Sequence, residues 1–344
     1  MENDAVIGQV MKVLLTGASG LVGHAAMLAV LARGHEVFAL GHERMPPLPI
    51  AAMAKGRARA LQADLSNLHA VERVIFDYYP DTIINAAALS NNATVEAAPE
   101  LGEKLNVALP RRLAQLANHL SARLLHLSTD AVFDGDGGPY RSTDMPSPRT
   151  LYGQLKLEAE KETLREGGDY ALVLRITIVN GNSPSGRRSL HEKLFAAWAA
   201  GSVTPLHTDE LRQPVSSVNV GDVLAELVDR PNLHGLFHWA GPDSLTRYAI
   251  GQALLKHFGL PEDLINPCLR KDLPGGEKHP KALEFILPPL LGKLTTKPTP
   301  FAEQLEELVV PLEHQDWYRQ TRRPGMGAAG ENQPIRRLVQ GRDF

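Results

Sequence analysis

The sequence predicts an α/β fold: a doubly wound parallel sheet of the Rossmann type with a smaller C-terminal substrate domain. Three observations predict it. Short, branched apolar runs alternate with helix-periodic segments from residue 12 to about 176. A glycine-rich turn separates the first run from the first helix. Beyond about residue 177 the alternation loosens into helices interrupted by proline and glycine.

The elements follow in order. "KVLLT" (12–16) reads as a buried strand, and "GASGLVG" follows it. Leu21, Val22, Ala25, Leu28 and Leu31 then recur at helical spacing, and Gly34 stands where a helix end takes a left-handed residue. "EVFAL" (36–40) is the second strand, completing a βαβ unit, and "RALQA" (59–63) the third, with a helix to about Tyr79. "DTIINAAA" (81–88) is the fourth strand; Pro99 opens a helix running to about His119. "RLLHLS" (123–128) reads as an apolar strand, with a loop rich in Gly, Asp and Pro over 129–149. A helix beginning near Leu151 and the strand "YALVLRI" (170–176) close the first domain, 11–176, which later segments partly complete. Helices near 188–200, 219–229 and 246–258 and a strand at 236–241 fall in a second domain, 177–312. The stretch 313–344 has little apolar periodicity and is expected to be a mobile tail; Met11 is a plausible start, with residues 1–10 an extension.

Composition excludes several classes. The chain has 344 residues, 43% of them apolar, and a formal net charge of -3, enough for a large core and without the basic excess of a nucleic-acid binder. The single cysteine, Cys268, allows no internal disulfide, which suits a reducing compartment. No apolar run reaches the roughly 18–20 residues of a membrane span, and the acidic N-terminus "MENDAVIGQVMK" is no secretory leader. A cytoplasmic protein without membrane or nucleic-acid partners is expected.

Gly17, Gly20 and Gly23, with Ser19 between them, follow a strand and open a helix. Glycine there permits the tight turn and lets backbone approach a pyrophosphate at the helix N-terminus. A βα turn with no ligand could use the same glycines; a kinase-type phosphate loop is excluded, since no Gly-Lys-Ser/Thr follows. Leu40 and Gly41 end the second strand where an acid would favour NAD, while His42 and Arg44 lie just beyond. Arg44 could pair with a 2′-phosphate, so NADP is preferred over NAD, against which Glu43 weighs.

In "TLYGQLK" (150–156), Tyr152 and Lys156 lie one helical turn apart, after the tip of the fifth strand where Ser128 and Thr129 stand. A free phenol near pKa 10 is a poor acid-base group at neutral pH, and an adjacent ammonium would lower that value. Such a pair also arises on an ordinary solvated helix face.

With these motifs in place the chain resembles the extended short-chain dehydrogenase/reductases, and among them the dTDP-4-dehydrorhamnose reductase group. The resemblance spans about residues 11–310 and rests on "TGASGLVG", "ADL" (63–65), "NAAA" (85–88), "STDAVFDG", the Pro-Tyr and two later prolines before "YGQLKLEAE", and "LR" (174–175). It implies that Tyr152 exchanges a proton with the substrate oxygen, that Lys156 lowers the Tyr152 pKa and holds the nicotinamide ribose, and that Thr129 hydrogen-bonds the same substrate oxygen. It also implies that Gly20, Leu21 and Val22 face the pyrophosphate, Asp64 and Leu65 the adenine, and Ala86, Ala87 and Ala88 the ribose and nicotinamide side. Asp64 could equally be the N-cap of the helix after it.

Departures from the family lie in the sugar pocket: Ala131 replaces a tyrosine, Ile178 a tryptophan, and Leu89, Ser90, Asn91, Asn92 and Ala93 replace a "YT-x-VD" pattern. Catalytic and cofactor positions therefore match while the substrate positions do not. Ser90, Asp130, Arg187 and Arg212 are the substrate-side candidates; Arg187 and Arg188 could hold a diphosphate or simply lie in a solvated loop. "DGDGG" (134–138) imitates a calcium loop but puts Met145 where the bidentate acid belongs, so it is a turn. The 13 histidines have no Cys pairing, so no metal is expected.

The first expectation is thus an NAD(P)H-dependent reductase of a keto-sugar nucleotide or a related small carbonyl compound. The second keeps the fold without turnover, as in the regulatory beta subunit of methionine adenosyltransferase, a similar protein that partners another enzyme. A sugar-nucleotide epimerase or dehydratase ranks third, because Ala131 stands where a dehydratase's second acid belongs. A homodimer is the default assembly.

Overall fold

The structure, a computed structural model, describes residues 9–276 and 279–322. Most of the expected N-terminal extension and residues 323–344 of the expected tail lie outside the described residues.

Six strands, β1 (Lys12–Thr16), β2 (Glu36–Gly41), β3 (Ala58–Gln62), β4 (Thr82–Asn85), β5 (Arg123–Thr129) and β6 (Ala171–Ile176), join a seventh, Gly235–Trp239, in one sheet. The order is Gly235–Trp239, β6, β5, β4, β1, β2, β3, and every pairing is parallel. The chain winds outward from β1 through β2 to β3, then returns to β4 on the other flank. This leaves a topological switch point beside β1, where such sheets open a crevice at their carboxyl ends. Val13, Leu14 and Leu15 are at most 1% exposed, as expected of a strand covered on both faces.

The helix α1 (Leu21–Ala32) is apolar all round because it is covered twice, by the sheet and by the helix Ser217–Val228. The two helices approach closely at Gly221, where a Cβ would lie 2.7 Å from the Ala25 carbonyl oxygen. Two segments beyond Thr177 therefore rejoin the first domain: this covering helix and the seventh strand. Arg123 fastens the return, its buried guanidinium donating to the Leu227 and Leu233 carbonyls.

The expected helix from Pro99 to His119 is built from Pro99–Glu103, a π-helical turn Lys104–Ala108 and Leu109–Leu120. Pro110, near the start of the last piece, lacks the N–H that a regular turn would use. The remaining chain packs a second core around Phe195, Trp198, Leu254 and Phe258. The first residues of the expected tail belong to that core: Gln315–Thr321 is a helix, and Tyr318, 2% exposed, lies 6.2 Å from the rings of both Phe195 and Phe258. Aromatic burial orders a stretch that apolar periodicity did not reveal. Among the described residues no helix is long and apolar enough to cross a membrane.

Candidate functional site

Because the strands are parallel, the glycine loop after β1, the tip of β2, the end of β3, the alanines after β4 and Thr129 on β5 all meet at one sheet edge. Gly17 has φ +73, and a Cβ there would sit 2.6 Å from the Ala86 carbonyl carbon; only glycine combines that backbone with so close a neighbour strand. A Cβ on Gly23 would lie 2.1 Å from the Gly17 oxygen, so this glycine lets α1 start directly against its own turn. Gly20 is the N-cap of α1 and places no side chain on the first backbone N–H groups, leaving them directed at the loop's mouth. Ser19, Leu21 and Val22 are half-buried around it. Gly17→Ala is expected to cost about 2 kcal/mol or more in urea unfolding, from left-handed strain plus the clash.

His42 and Arg44 are exposed just past β2. Asp64 is not the cap of the following helix: Asn67 is, accepting from the Ala70 N–H, while Asp64 Oδ1 accepts from the Ser66 N–H and hydroxyl at 2.9 and 2.8 Å. Those bonds hold the Asp64 carboxyl below its usual range. Leu65 packs on the core beneath. Ala86, Ala87 and Ala88 are half-buried after β4. The loop continues through Leu89, whose backbone N–H and carbonyl are both held by the fully buried Asn106 side chain, at 2.9 and 3.1 Å. Asn106 stands in the π-helical turn, so this irregularity positions the loop. Ser90, next in line, is exposed.

Thr150 caps the helix Leu151–Gly167, accepting from the Gly153 N–H at 3.1 Å. At Gly153 a Cβ would meet the Ala131 oxygen at 2.3 Å, so glycine lets the helix start against the end of β5. That contact sets Tyr152 beside Thr129, whose hydroxyl meets the Asp130 carboxylate and the Ala131 N–H. Burial pushes the Tyr152 hydroxyl up to about 12, the Asp130 carboxylate pushing the same way and Thr129 opposing. Asp130 is buried, which raises its own pKa against the pull of Arg212, the Thr129 hydroxyl and Arg247.

Lys156 is 2% exposed, and its Nζ lies 2.7 Å from the Leu127 carbonyl oxygen and 3.1 Å from His126 Nε2. Burial lowers its pKa to about 8, the Glu160 carboxylate opposing. The expected lowering of the Tyr152 phenol by Lys156 is therefore corrected here. The phenol is raised, and the amine is directed into β5. One turn further on, Glu160 receives Arg175 through two parallel bonds of 2.8 and 2.6 Å and the Ser128 hydroxyl at 2.5 Å.

The substrate-side candidates separate. Arg212 is buried, and its charge reaches Asp130. Arg187 lies in an exposed ion pair of 2.5 Å with Glu313. Arg247 joins Arg212 on Glu210 Oε1, at 2.8 and 2.6 Å, a grouping no local spacing announces. Among the described residues, His207, Glu210 and His279 also bring ligand atoms within 4.8 Å of one another, which a search for His-x-x-x-His misses. A dication on that carboxylate would face two guanidiniums at its other oxygen, an arrangement that opposes it. The cluster instead fixes the two arginines beside Asp130. In "DGDGG" the Asp134 carboxylate accepts from the Asp136 N–H and the Tyr140 hydroxyl, as in a turn.

The chain is similar to several known proteins. The beta subunit of methionine adenosyltransferase 2 from Bos taurus is 30% identical over 316 residues, 90% of each chain. A probable low-salt glycan biosynthesis reductase, Agl14, from Haloferax volcanii is 29% identical over 274 residues, 79% of this chain and 88% of its own. The crystal structure of the Bacillus anthracis dTDP-4-dehydrorhamnose reductase in complex with NADP shares the fold, with a TM-score of 0.72 and 18% identity over 87% of this chain and 98% of that one. The family model described as the RmlD substrate binding domain matches residues 11–313. With nearly the whole described chain inside that match, the protein belongs to the RmlD substrate-binding-domain family.

Proposed function

We propose that the protein is an NADPH-dependent reductase of a keto-sugar nucleotide or a related small carbonyl compound. The observation that carries this reading is that the helix bearing Tyr152 starts against the end of β5, beside Thr129, at the sheet edge that also bears the glycine loop. The residues present fit a dinucleotide. The loop has no side chain where a pyrophosphate would rest, the N-terminus of α1 is uncapped by a side chain, and His42 and Arg44 are exposed beyond β2.

Bound NADPH would supply the hydride. Tyr152, protonated at neutral pH with its hydroxyl near 12, is a proton donor to the oxygen of a carbonyl being reduced. Thr129 would hydrogen-bond the same oxygen, and Lys156, one turn on, would hold the nicotinamide ribose. Arg212 and Arg247 put positive charge on the substrate side of Asp130, suited to an anionic substrate such as a nucleotide diphosphate. Arg44 would contact the 2′-phosphate of NADPH. Arg44→Ala is then expected to weaken NADPH binding about tenfold, the scale of one charge-assisted hydrogen bond, and to leave NADH binding nearly unchanged. Equal weakening of both coenzymes in a fluorescence titration would remove Arg44 from that role.

A second reading, a regulatory subunit of another enzyme, is favoured by the 30% identity to the methionine adenosyltransferase beta subunit over 90% of this chain. A panel of keto-sugar nucleotides and small ketones, followed by NADPH absorbance, separates the two. Turnover supports the reductase; coenzyme binding with no turnover across the panel supports the subunit.

A further inference from the structure

Beneath the Tyr152–Lys156 pair runs a chain of buried polar side chains across three adjacent strands. Thr16 on β1, Asn85 on β4, His126 on β5 and Lys156 on the overlying helix are each at most 2% exposed. The Asn85 Oδ1 accepts from the Thr16 hydroxyl at 2.6 Å and from the Ala87 backbone N–H at 3.3 Å. A backbone N–H can only donate, so it fixes which end of the Asn85 amide is oxygen. The amide nitrogen Nδ2 therefore faces His126 Nδ1, at 3.0 Å. Nδ2 can only donate as well, so Nδ1 must accept and carries no proton. A neutral imidazole then holds its single proton on Nε2, and Nε2 lies 3.1 Å from Lys156 Nζ. An ammonium there would set N–H against N–H. A neutral amine accepts from Nε2–H and still donates to the Leu127 carbonyl at 2.7 Å.

We propose that His126 is a positioning residue for Lys156: its tautomer, dictated by Asn85, favours the uncharged amine and so sets the pH range in which Lys156 can carry charge. The other charged groups facing this spot are already matched. Glu160, on the same helix, is taken by Arg175 of β6 and by Ser128 of β5, and Arg175 in turn meets His238 of the edge strand at 3.3 Å. Glu160 favours the ammonium but is shared with a guanidinium, so His126 and burial prevail. The directions agree: burial and Lys156 together hold the imidazole well below its usual value, and Lys156 itself is lowered.

The test is Asn85→Asp. A carboxylate can still accept from Thr16 and Ala87, but its second oxygen now accepts from His126 as well. The tautomer should move to Nδ1–H, baring Nε2 as an acceptor for a Lys156 ammonium. Nitrogen-15 imidazole spectra of the full-length protein near neutral pH, with the His126 signal identified by its loss in His126→Gln, read the tautomer without any turnover. The expected result is Nε2–H in the wild type and Nδ1–H in Asn85→Asp. Nδ1–H or an imidazolium in the wild type overturns the proposal, and that spectrum suffices even if the substitution hinders folding. An unmoved tautomer in a folded variant overturns it too.

A second arm rests on the reductase reading. The alkaline limb of the turnover profile should move up by about one pH unit or more in Asn85→Asp, a tenfold gain at fixed alkaline pH. A flipped tautomer with an unmoved limb would refute the control of Lys156 by His126. If the reductase reading itself fails, no limb exists to measure, and the spectra still decide the tautomer.

Discussion

Tyr152→Phe is expected to lower reductase turnover by about 10²–10⁴-fold, the usual worth of a positioned general acid, while leaving NADPH affinity nearly unchanged. The substitution keeps the ring that packs at the start of the Leu151–Gly167 helix and removes only the hydroxyl facing Thr129. The half-buried phenol stays protonated well past neutral pH, since its pKa is pushed up to about 12. It can therefore give a proton in the reducing direction throughout the physiological range. The coenzyme contacts expected of the glycine loop, Arg44 and Asp64 do not involve that hydroxyl, so binding should survive. Steady-state turnover against a coenzyme titration checks the split. Unchanged turnover would take Tyr152 out of the mechanism, and a parallel loss of coenzyme affinity would make its role structural.

Arg175→Leu is expected to destabilise the fold by about 3–5 kcal/mol, because it strands a buried carboxylate. Arg175 and Glu160 have side chains 3% and 2% exposed and meet through two parallel hydrogen bonds. The Arg175 guanidinium also lies 5.0 Å from the Phe133 ring centre. Without it, Glu160 keeps only the Ser128 hydroxyl among these partners, too little for a charge in a dry interior. The paired replacement Arg175→Leu with Glu160→Leu should recover much of the loss, since a buried ion pair and a well-packed apolar pair are often close in energy. Urea unfolding of the two single variants and the double distinguishes this from simple loss of packing. Equal instability of Arg175→Leu and the double variant would mean that volume, not charge, is what the site requires.

The alternation of strands and helices was legible because each strand of the central sheet is buried on both faces, and a short apolar run between turn residues is a local signal. The glycine loop was legible for a similar reason: the backbone at Gly17 excludes other residues, and that restriction is written in the residue itself. What failed depended on partners far away in the chain. "RLLHLS" reads as apolar, yet Arg123, His126 and Ser128 are all buried and polar, answered by Leu227 and Leu233, by Asn85 and Lys156, and by Glu160. Nothing local tells a satisfied buried histidine from an exposed one. The helix Ser217–Val228 and the strand after it look like any second-domain elements until α1 and β6 claim them. The Tyr152–Lys156 spacing was visible, but the sign of the Tyr152 shift was not. One helical turn of spacing fixes which residues are neighbours, not which way a long amine points or how dry its surroundings are.

The most direct measurement follows a label. NADPH carrying deuterium at C4 of the nicotinamide is incubated with the full-length protein and a panel of keto-sugar nucleotides, and the products are weighed by mass spectrometry. The reductase account requires an alcohol product one mass unit heavier than from unlabelled coenzyme, formed by the wild type and nearly absent with Tyr152→Phe. NADPH that binds and yet leaves every ketone unlabelled would contradict it.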